Sequence, residues 1–336
     1  MKWETTAQAD LGIDMAFFNR RLRVALDVYD KQTSDLLRQR NLALSSSYDK
    51  MWVNDGKIQN RGFEATIDAD IISTPDWHLG STFVFSMNRN KVKDLGNTVE
   101  SGLMTDEMTG MLYEYSGNSL EQYRDYTNIL AIGKPVNVFY GYRVNGIVQT
   151  VNEGIDAGLT GDYAQPGEFK YMDLDGNGSI NEGDKCIIGD PNPDFTASLN
   201  LDLTWKNWNL NVFLNGVFGN DVLNTQKFGQ PNSDPLRWTK DNPTNDYPSL
   251  RDGRQTKISD WWIEDGSFLR IQNVTLGYTF NFKKSILNKL HLYANVANLY
   301  TFTSFKGYDP EVGLNGIYSG GYPRLRKWTF GLDLTF

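Results

Sequence analysis

The sequence is poor in the residues that supply most acid–base, metal and redox chemistry. Among 336 residues it has one cysteine, Cys186, and two histidines, His78 and His291. A single thiol cannot form an intramolecular disulfide, and two histidines leave little for metal binding or proton transfer. We find no nucleophile elbow, phosphate-binding glycine loop, zinc-ligand spacing or Ser/His/Asp set. The sequence therefore predicts a protein that is not an enzyme.

Excess positive charge and long apolar runs are also missing. The net charge is −8 and the isoelectric point is near 4.9, so a nucleic-acid partner is not expected. The mean hydropathy is −0.48, and no run of about 18 apolar residues is present to form a membrane helix. These absences leave a β-barrel open, because its strands hide their apolar residues among polar ones.

Alternation of apolar and polar residues is abundant, and residues 327–336 show it best. One parity of this segment is small, polar or acidic, and the apolar parity consists of Trp328, Phe330, Leu332, Leu334 and Phe336. Side chains of a strand point to opposite faces in turn, so the segment predicts a strand with one apolar face. The terminal aromatic residue is typical of the closing strand of an outer-membrane β-barrel.

Segments of this kind recur along the chain. They are residues 8–17, 22–29, 63–71, 77–87, 195–205, 208–215, 274–280, 290–296 and 327–336. The connections between them are alternately short and long. The longest covers residues 96–194 and contains a strand-like piece at 136–148. Barrels have tight turns at one end and long loops at the other, whereas soluble sandwiches do not sort their loops in this way. We therefore predict an all-β fold, an antiparallel transmembrane β-barrel segment of about nine strands.

Aromatic and acidic residues follow the same pattern. Six aromatic residues fall at the end with short turns, where they predict an interfacial girdle: Phe17, Trp77, Trp205, Trp208, Phe280 and Phe336. Trp261 and Trp262 are expected in a second girdle at the far end. The face opposite the apolar one carries Asp10, Asp14, Asp27, Glu64, Asp68, Asp70, Asp202 and Asp333, with Arg23 as counter-charge. Such a face predicts a polar barrel interior.

Five stretches of the chain resemble the C-terminal part of the SusC/RagA-type TonB-dependent outer-membrane transporters of Bacteroidetes. They begin at Lys2-Trp3-Glu4, Gln59-Asn60-Arg61-Gly62, Gly189-Asp190-Pro191, Phe268-Leu269-Arg270 and Gly307-Tyr308-Asp309-Pro310. Together, in this order, the five stretches span essentially the whole chain. The resemblance implies that residues 1–336 are the last third of a barrel of roughly 22 strands, with the plug and N-terminal domains absent from this sequence.

The same resemblance implies a function and partners. Transporters of this type import oligosaccharides, or sometimes peptides, across the outer membrane together with a SusD-like surface lipoprotein. TonB supplies the energy through the N-terminal part. On this basis the acidic interior face would hold the plug, and residues 96–194 would be an extracellular loop region.

The sharpest local motif lies inside that loop region, at residues 173–184. Its spacing fits a calcium loop, with candidate ligands Asp173, Asp175, Asn177, Ser179, Asn181 and Asp184. Alternate oxygen-bearing side chains of a tight loop point inward and suit a hard cation. The other interpretation is a solvated Asp/Gly/Asn turn, since extended segments flank the motif where an EF-hand has helices. We favour calcium at low affinity, because Asp184 reaches less far than the usual glutamate.

Aromatic residues of the long loops are candidates for substrate or partner contacts. They are Trp52, Trp238, Tyr308 and Tyr322. Flat rings stack on sugars and also suit protein interfaces, although local loop packing and interfacial anchoring explain any single one of them better.

Two other functions remain open at this stage. The chain could close on itself as a small outer-membrane barrel, either an adhesin or an enzyme. It could also be a soluble, calcium-dependent carbohydrate-binding β-domain. The hydrogen-bond partner of residues 327–336 distinguishes the first alternative from a transporter fragment.

Overall fold

A computed structural model describes residues 2–41, 47–48, 50–96, 103–120, 123, 125–229, 234–250, 256–283 and 286–336. The strands, in chain order, are β1 (Thr5–Phe17), β2 (Leu22–Ser34), β3 (Leu37–Asn41), β4 (Lys50–Asn54), β5 (Lys57–Ser73), β6 (Trp77–Asp94), β7 (Met104–Thr105), β8 (Leu112–Leu120), β9 (Asp125–Ala131), β10 (Val138–Gly141), β11 (Val144–Ile147), β12 (Phe169–Tyr171), β13 (Cys186–Gly189), β14 (Phe195–Trp205), β15 (Trp208–Phe218), β16 (Asp221–Asn224), β17 (Ile263–Asp265), β18 (Phe268–Asn281), β19 (Lys289–Thr303), β20 (Ile317–Tyr318) and β21 (Lys327–Thr335). One short helix, α1, spans Val151–Asp156. In the described ranges no helix is both long and apolar enough to cross a membrane.

Nine long strands form one antiparallel sheet in the order β1-β2-β5-β6-β14-β15-β18-β19-β21. Tight turns join alternate neighbours at one end, and Lys206 of the β14–β15 turn adopts a φ of 53°. The other connections run at the opposite end and are long. The nine strands predicted from alternation are therefore confirmed, and the sheet follows their sequence order. We call the two ends the short-turn end and the long-loop end.

One face of this sheet is apolar and exposed. On β21, for example, Trp328, Phe330 and Leu332 are 61%, 76% and 60% exposed. The six aromatic residues of the predicted girdle all lie at the short-turn end, where Trp205 pairs directly with both Trp77 and Trp208. The Trp77 and Trp205 rings stack with centroids 5.3 Å apart. The alternation thus produces a continuous apolar surface with an aromatic edge.

The buried core lies in the long loops. These loops form small sheets of their own, β13-β10-β9-β8-β7, β11-β12, β17-β16-β20 and β3-β4. Within the described residues four clusters of buried side chains hold them together, around Phe169, Phe139, Ile129 and Val222. The strand-like piece predicted at 136–148 corresponds to β10 and β11. The loops at this end are consequently a packed layer of short strands.

The prediction for Trp261 and Trp262 is wrong. Trp262 is only 3% exposed and packs against Tyr123 in the buried cluster around Phe139. Trp261 contacts the ring of Phe169, with centroids 5.0 Å apart. Both residues precede β18 in sequence, but a turn at Asp260–Trp262 directs them into the loop layer.

Candidate functional site

The acidic loop 173–184 lies between β12 and β13, against the end of helix α1. The backbone amide of Ile180 donates a hydrogen bond to the carbonyl of Gly158, at 3.3 Å. A Cβ atom on Gly158 would lie 2.9 Å from the carbonyl oxygen of Gly178. Two glycine backbones therefore meet where the loop packs on the helix, and this contact fixes the position of the loop.

Three carboxylates of the loop converge. Asp173, Asp175 and Asp184 each place one oxygen so that all three lie within 4.8 Å of one another. Asp184 is fully buried and accepts hydrogen bonds from the amides of Leu174 and Asn181, both at 2.8 Å. The amide of Gly178 holds the pKa of the Asp173 carboxyl below its ordinary value. The loop thus brings three carboxylates together, with backbone amides donating to Asp173 and Asp184.

The other predicted ligands lie beside these carboxylates. Asn177 donates to Asp175 at 2.7 Å, and its side-chain oxygen accepts from the amide of Ser179. The side chain of Asn181 caps the turn that follows, accepting from the amide of Gly183. The donors are all hard oxygens, which is the set that Ca²⁺ prefers. The residues present fit such an ion, and calcium binding stays a prediction.

A buried lysine, Lys185, lies directly after the loop, and no motif in the sequence pointed to it. The side chain of Lys185 is 2% exposed and its ammonium group contacts Asp125 at 2.5 Å and Glu182 at 2.8 Å. Burial by itself would lower the pKa of Lys185, but the two hydrogen bonds raise it above its ordinary value. The ion pairs connect the acidic loop to the first residue of strand β9.

Three of the four aromatic candidates are exposed. Trp52 on β4 is 53% exposed, Tyr308 is 66% exposed and Tyr322 is 99% exposed. Tyr308 lines a small cavity of about 150 Å³ together with Tyr318 and Lys306. Because their rings stand in solvent, these residues are available for contacts with another molecule.

Trp238 is positioned differently. It is partly buried against the cluster around Phe169, and its indole nitrogen donates to Gln149 at 2.7 Å. Among the residues described, the four candidate rings make no ring–ring contact with one another. Tyr308 and Tyr322 share the last long loop, whereas Trp52 and Trp238 belong to two other parts of the loop layer, and the four rings do not form one site.

The polar face of the long sheet carries a network of amides and carboxylates. Asn211 donates to Asn200 at 2.8 Å and to Asp202 at 2.7 Å across β14 and β15. Asn295 likewise donates to Asn273 on the adjacent strand. Groups of this kind are costly against hydrocarbon, so this face borders water or another polar part of the protein.

A buried arginine links two of the motifs singled out in the sequence. Arg270 on β18 is 1% exposed and donates to Asp309 at 2.7 Å and to Glu311 at 2.6 Å. Arg324 contacts the same two carboxylates. The opposite charges of the two motifs were compatible with an ion pair, but nothing in the sequence showed that the two motifs are in contact.

An exposed apolar face, a polar face, tight turns at one end and packed loops at the other define the wall of a transmembrane β-barrel. Residues 1–215 match the family described as TonB dependent receptor-like, beta-barrel. The chain belongs to this family, and the predicted resemblance is confirmed.

Individual relatives agree with this assignment. The chain is 35% identical to TonB-dependent receptor P3 of Formosa agariphila, over its whole length and 34% of that protein. It is 28% identical to TonB-dependent receptor SusC of Bacteroides thetaiotaomicron, covering 32% of it. The structure of the RagAB peptide transporter aligns with the whole of this chain, and the alignment covers 36% of the transporter chain. The TM-score is 0.79 at 23% sequence identity, which shows a shared fold. The chain spans about a third of the length of these relatives.

Proposed function

We propose that this chain forms part of the wall and the extracellular loops of a TonB-dependent importer in the bacterial outer membrane. The observation that carries the proposal is the nine-stranded sheet with an exposed apolar face and a polar face, in a chain of the TonB-dependent receptor family. The apolar face would lie against lipid, and the polar face would line the interior that holds the plug. Residues 96–194 would face the outside of the cell.

The edges of the sheet argue against a small barrel that closes on itself. Within the described part of the chain, β1 pairs with β2 and β21 pairs with β19, and the two edge strands do not pair with each other. The exposed apolar face also argues against a soluble sugar-binding domain, because large exposed apolar surfaces are rare on soluble monomers.

The proposed substrates are oligosaccharides or similar nutrients, with peptides as the alternative, and the proposed partners are a SusD-like surface lipoprotein and TonB. Relatives named as SusC and as half of the RagAB peptide transporter support this range. The exposed rings of Trp52, Tyr308 and Tyr322 are suited to contact either a sugar or a lipoprotein.

Uptake measurements test the proposal directly. The full-length protein is expressed in a strain without its own copy, and uptake of labelled oligosaccharides and peptides is measured with and without functional TonB. We expect uptake of one of the two classes that requires TonB, and co-purification of the lipoprotein encoded beside it. Uptake that persists without TonB, or a protein recovered in the soluble fraction, would contradict the proposal.

We further propose that loop 173–184 binds Ca²⁺ and is stabilised by it. Three carboxylates that place one oxygen each within 4.8 Å of one another support this assignment. Asp184 is already held by the amides of Leu174 and Asn181. We expect a dissociation constant of about 10⁻⁴–10⁻³ M, as in extracellular modules.

Calorimetric titration of the full-length protein with calcium tests this second proposal. Asp175→Asn is expected to weaken binding, because it removes a carboxylate from the converging set. Asp156→Asn removes an exposed carboxylate of the adjacent helix and is the matched control. Absence of binding at millimolar calcium, or equal binding by both variants, would overturn the assignment.

A further inference from the structure

A pair of arginines lies side by side on the apolar face of the long sheet. Arg61 on β5 and Arg89 on β6 are direct cross-strand partners, and Asp30 on β2 is the partner of Arg61 on the other side. Like charges directly opposite each other in a sheet are destabilising. Asp30 and Asp194 each pair with one of the two arginines, and the exposed parts of both guanidinium groups are positions where a further anion would be favourable.

The two arginines lie at the upper limit of the apolar band. The row immediately below them is Val28, Phe63 and Met87. From Trp77 at the short-turn end to Met87, strand β6 advances by ten residues, about 34 Å, which a tilt of about 40° reduces to a height of about 26 Å. This height matches the apolar band of about 25 Å found in outer-membrane barrels. The arginines are thus at the level of lipid headgroups.

A groove runs down from this row into the apolar band. Its volume is about 630 Å³, and its apolar lining includes Leu11, Val28, Phe63 and Met87. Arg61, Arg89 and Asp30 form its charged upper rim. The groove therefore combines a hydrocarbon floor with a polar head, which is the shape of one amphiphilic molecule.

The rim is ordered and still has free donors. Gln59 donates to both oxygens of Asp30, at 2.8 and 2.9 Å, and Asp30 accepts from Nε of Arg61 at 2.8 Å. The Arg61 side chain is 67% exposed, and within the described residues its two terminal amino groups make no hydrogen bond. Arg89 is 54% exposed, contacts the carboxylate of Asp194 at 2.6 Å and also donates to the carbonyls of Pro193 and Asp194, both at 3.3 Å. Arg61 is therefore held in place with its outer donors directed away from its protein partners.

The surrounding charge is positive although the chain as a whole is acidic. Lys91 and Lys93 continue the parity of Arg89 along β6, and both are exposed. Four basic side chains thus stand against three carboxylates, namely Asp30, Asp194 and Asp10, the last of which also lines the groove. Guanidinium groups bind phosphate oxygens in bidentate geometry, which a pair of neighbouring arginines favours.

We propose that this groove binds a phosphorylated lipid of the outer leaflet, with the phosphate at Arg61 and Arg89 and an acyl chain along Leu11, Val28, Phe63 and Met87. The inference rests on the proposed function in one respect, that the apolar face lies against lipid. Basic residues at a membrane boundary commonly extend to the headgroup region without retaining a particular lipid. The cross-strand arginine pair and the groove below it distinguish a specific site from that general behaviour.

Lipid retention by the purified full-length protein tests the proposal. Native mass spectrometry measures binding in phosphatidylcholine nanodiscs that contain either bisphosphorylated lipid A or dephosphorylated lipid A. We expect the phosphorylated form to be retained and Arg61→Gln and Arg89→Gln each to weaken retention about fivefold, the effect of one basic residue at a membrane surface. Met87→Glu places a charge in the groove and should also weaken retention.

Lys31→Gln is the matched control, because it removes a cation at the same level from the polar face of β2. Equal retention of the dephosphorylated form, or loss of lipid in the Lys31 variant alone, would overturn the proposal. Displacement of the lipid by inorganic phosphate at comparable concentration would also overturn it, since it would show an anion site without a lipid groove. A protein that needs no detergent would refute the transporter proposal instead, so the two failures are distinguishable.

Discussion

Arg270 donates a hydrogen bond of 2.7 Å to Asp309, and this contact ties the last long loop to the barrel strand β18. The arginine is 1% exposed, and its guanidinium group also covers the ring of Phe268. The loop that it holds carries Tyr308 and Tyr322, two of the residues proposed to contact a substrate or partner. The buried ion pair between Arg270 and Asp309 thus positions a loop whose tyrosine side chains are exposed.

Replacing Arg270 should release this loop. Arg270→Met leaves Asp309 without its buried partner, and breaking a buried pair typically costs about 3–5 kcal/mol. Arg324→Gln removes a more exposed partner of the same carboxylate and should cost about 1 kcal/mol or less. Hydrogen exchange of residues 303–326 measures both effects. Equal protection in the Arg270 variant and the wild type would show that the loop is held by other contacts.

Acid should release the same loop. Burial acts to raise the pKa of Asp309, but the amide of Glu311 and the guanidinium groups of Arg324 and Arg270 together hold it below its ordinary value. A lowered pKa contributes stability that is present above the unfolded value of about 3.9 and is lost as the pH falls through the folded value.

We therefore expect limited proteolysis of residues 303–326 to be unchanged from neutral pH to about pH 5 and to increase below about pH 4. Asp309→Asn should make the loop sensitive at every pH, because the pairing is lost from the start. Glu107→Gln, which removes an exposed carboxylate from another loop, should leave the profile unchanged. A transition near neutral pH would contradict this account.

Gly154→Ala should destabilise helix α1, although alanine ordinarily stabilises a helix by about 0.5–1 kcal/mol relative to glycine. A Cβ atom on Gly154 would lie 2.5 Å from the carbonyl oxygen of Ala164, which is backbone and cannot swing away. We expect a net loss of about 1–3 kcal/mol, as for overpacked cores. Exchange rates of the α1 amides report this loss, and Gly229→Ala, at an open position, should have little effect.

Lipid contact distinguishes the tryptophans of the sheet from those of the loops. Brominated lipids quench indoles that they touch. Trp205→Phe and Trp208→Phe should each reduce the quenching of the full-length protein, because both side chains stand on the exposed apolar face. Trp262→Phe should leave the quenching unchanged, since Trp262 is buried in the loop layer. A loss of quenching in the Trp262 variant, with none in the Trp205 and Trp208 variants, would contradict the proposed position of the membrane.

Much of the barrel wall was predictable from the sequence. Alternation of apolar and polar residues with a period of two is a local property. The sequences of residues 195–205 and 327–336 therefore predict both a strand and the face of that strand that is apolar. Loop lengths and the position of Trp77, Trp205 and Trp208 then fixed the orientation of neighbouring strands. The calcium-loop spacing was equally local, and Asp173, Asp175 and Asp184 do converge.

Only the tertiary structure showed which side chains of the long loops are buried and which partners they have. Trp262 was predicted to be a girdle residue but is buried, because residues of β10, β13 and β16 from elsewhere in the chain pack around it. The partnership of Arg270 with Asp309 spans 39 residues. The sequence by itself determined which residues lie on the apolar face of the sheet, since alternation is encoded between neighbours. Packing between distant loops determined which charges and rings are buried and which remain exposed.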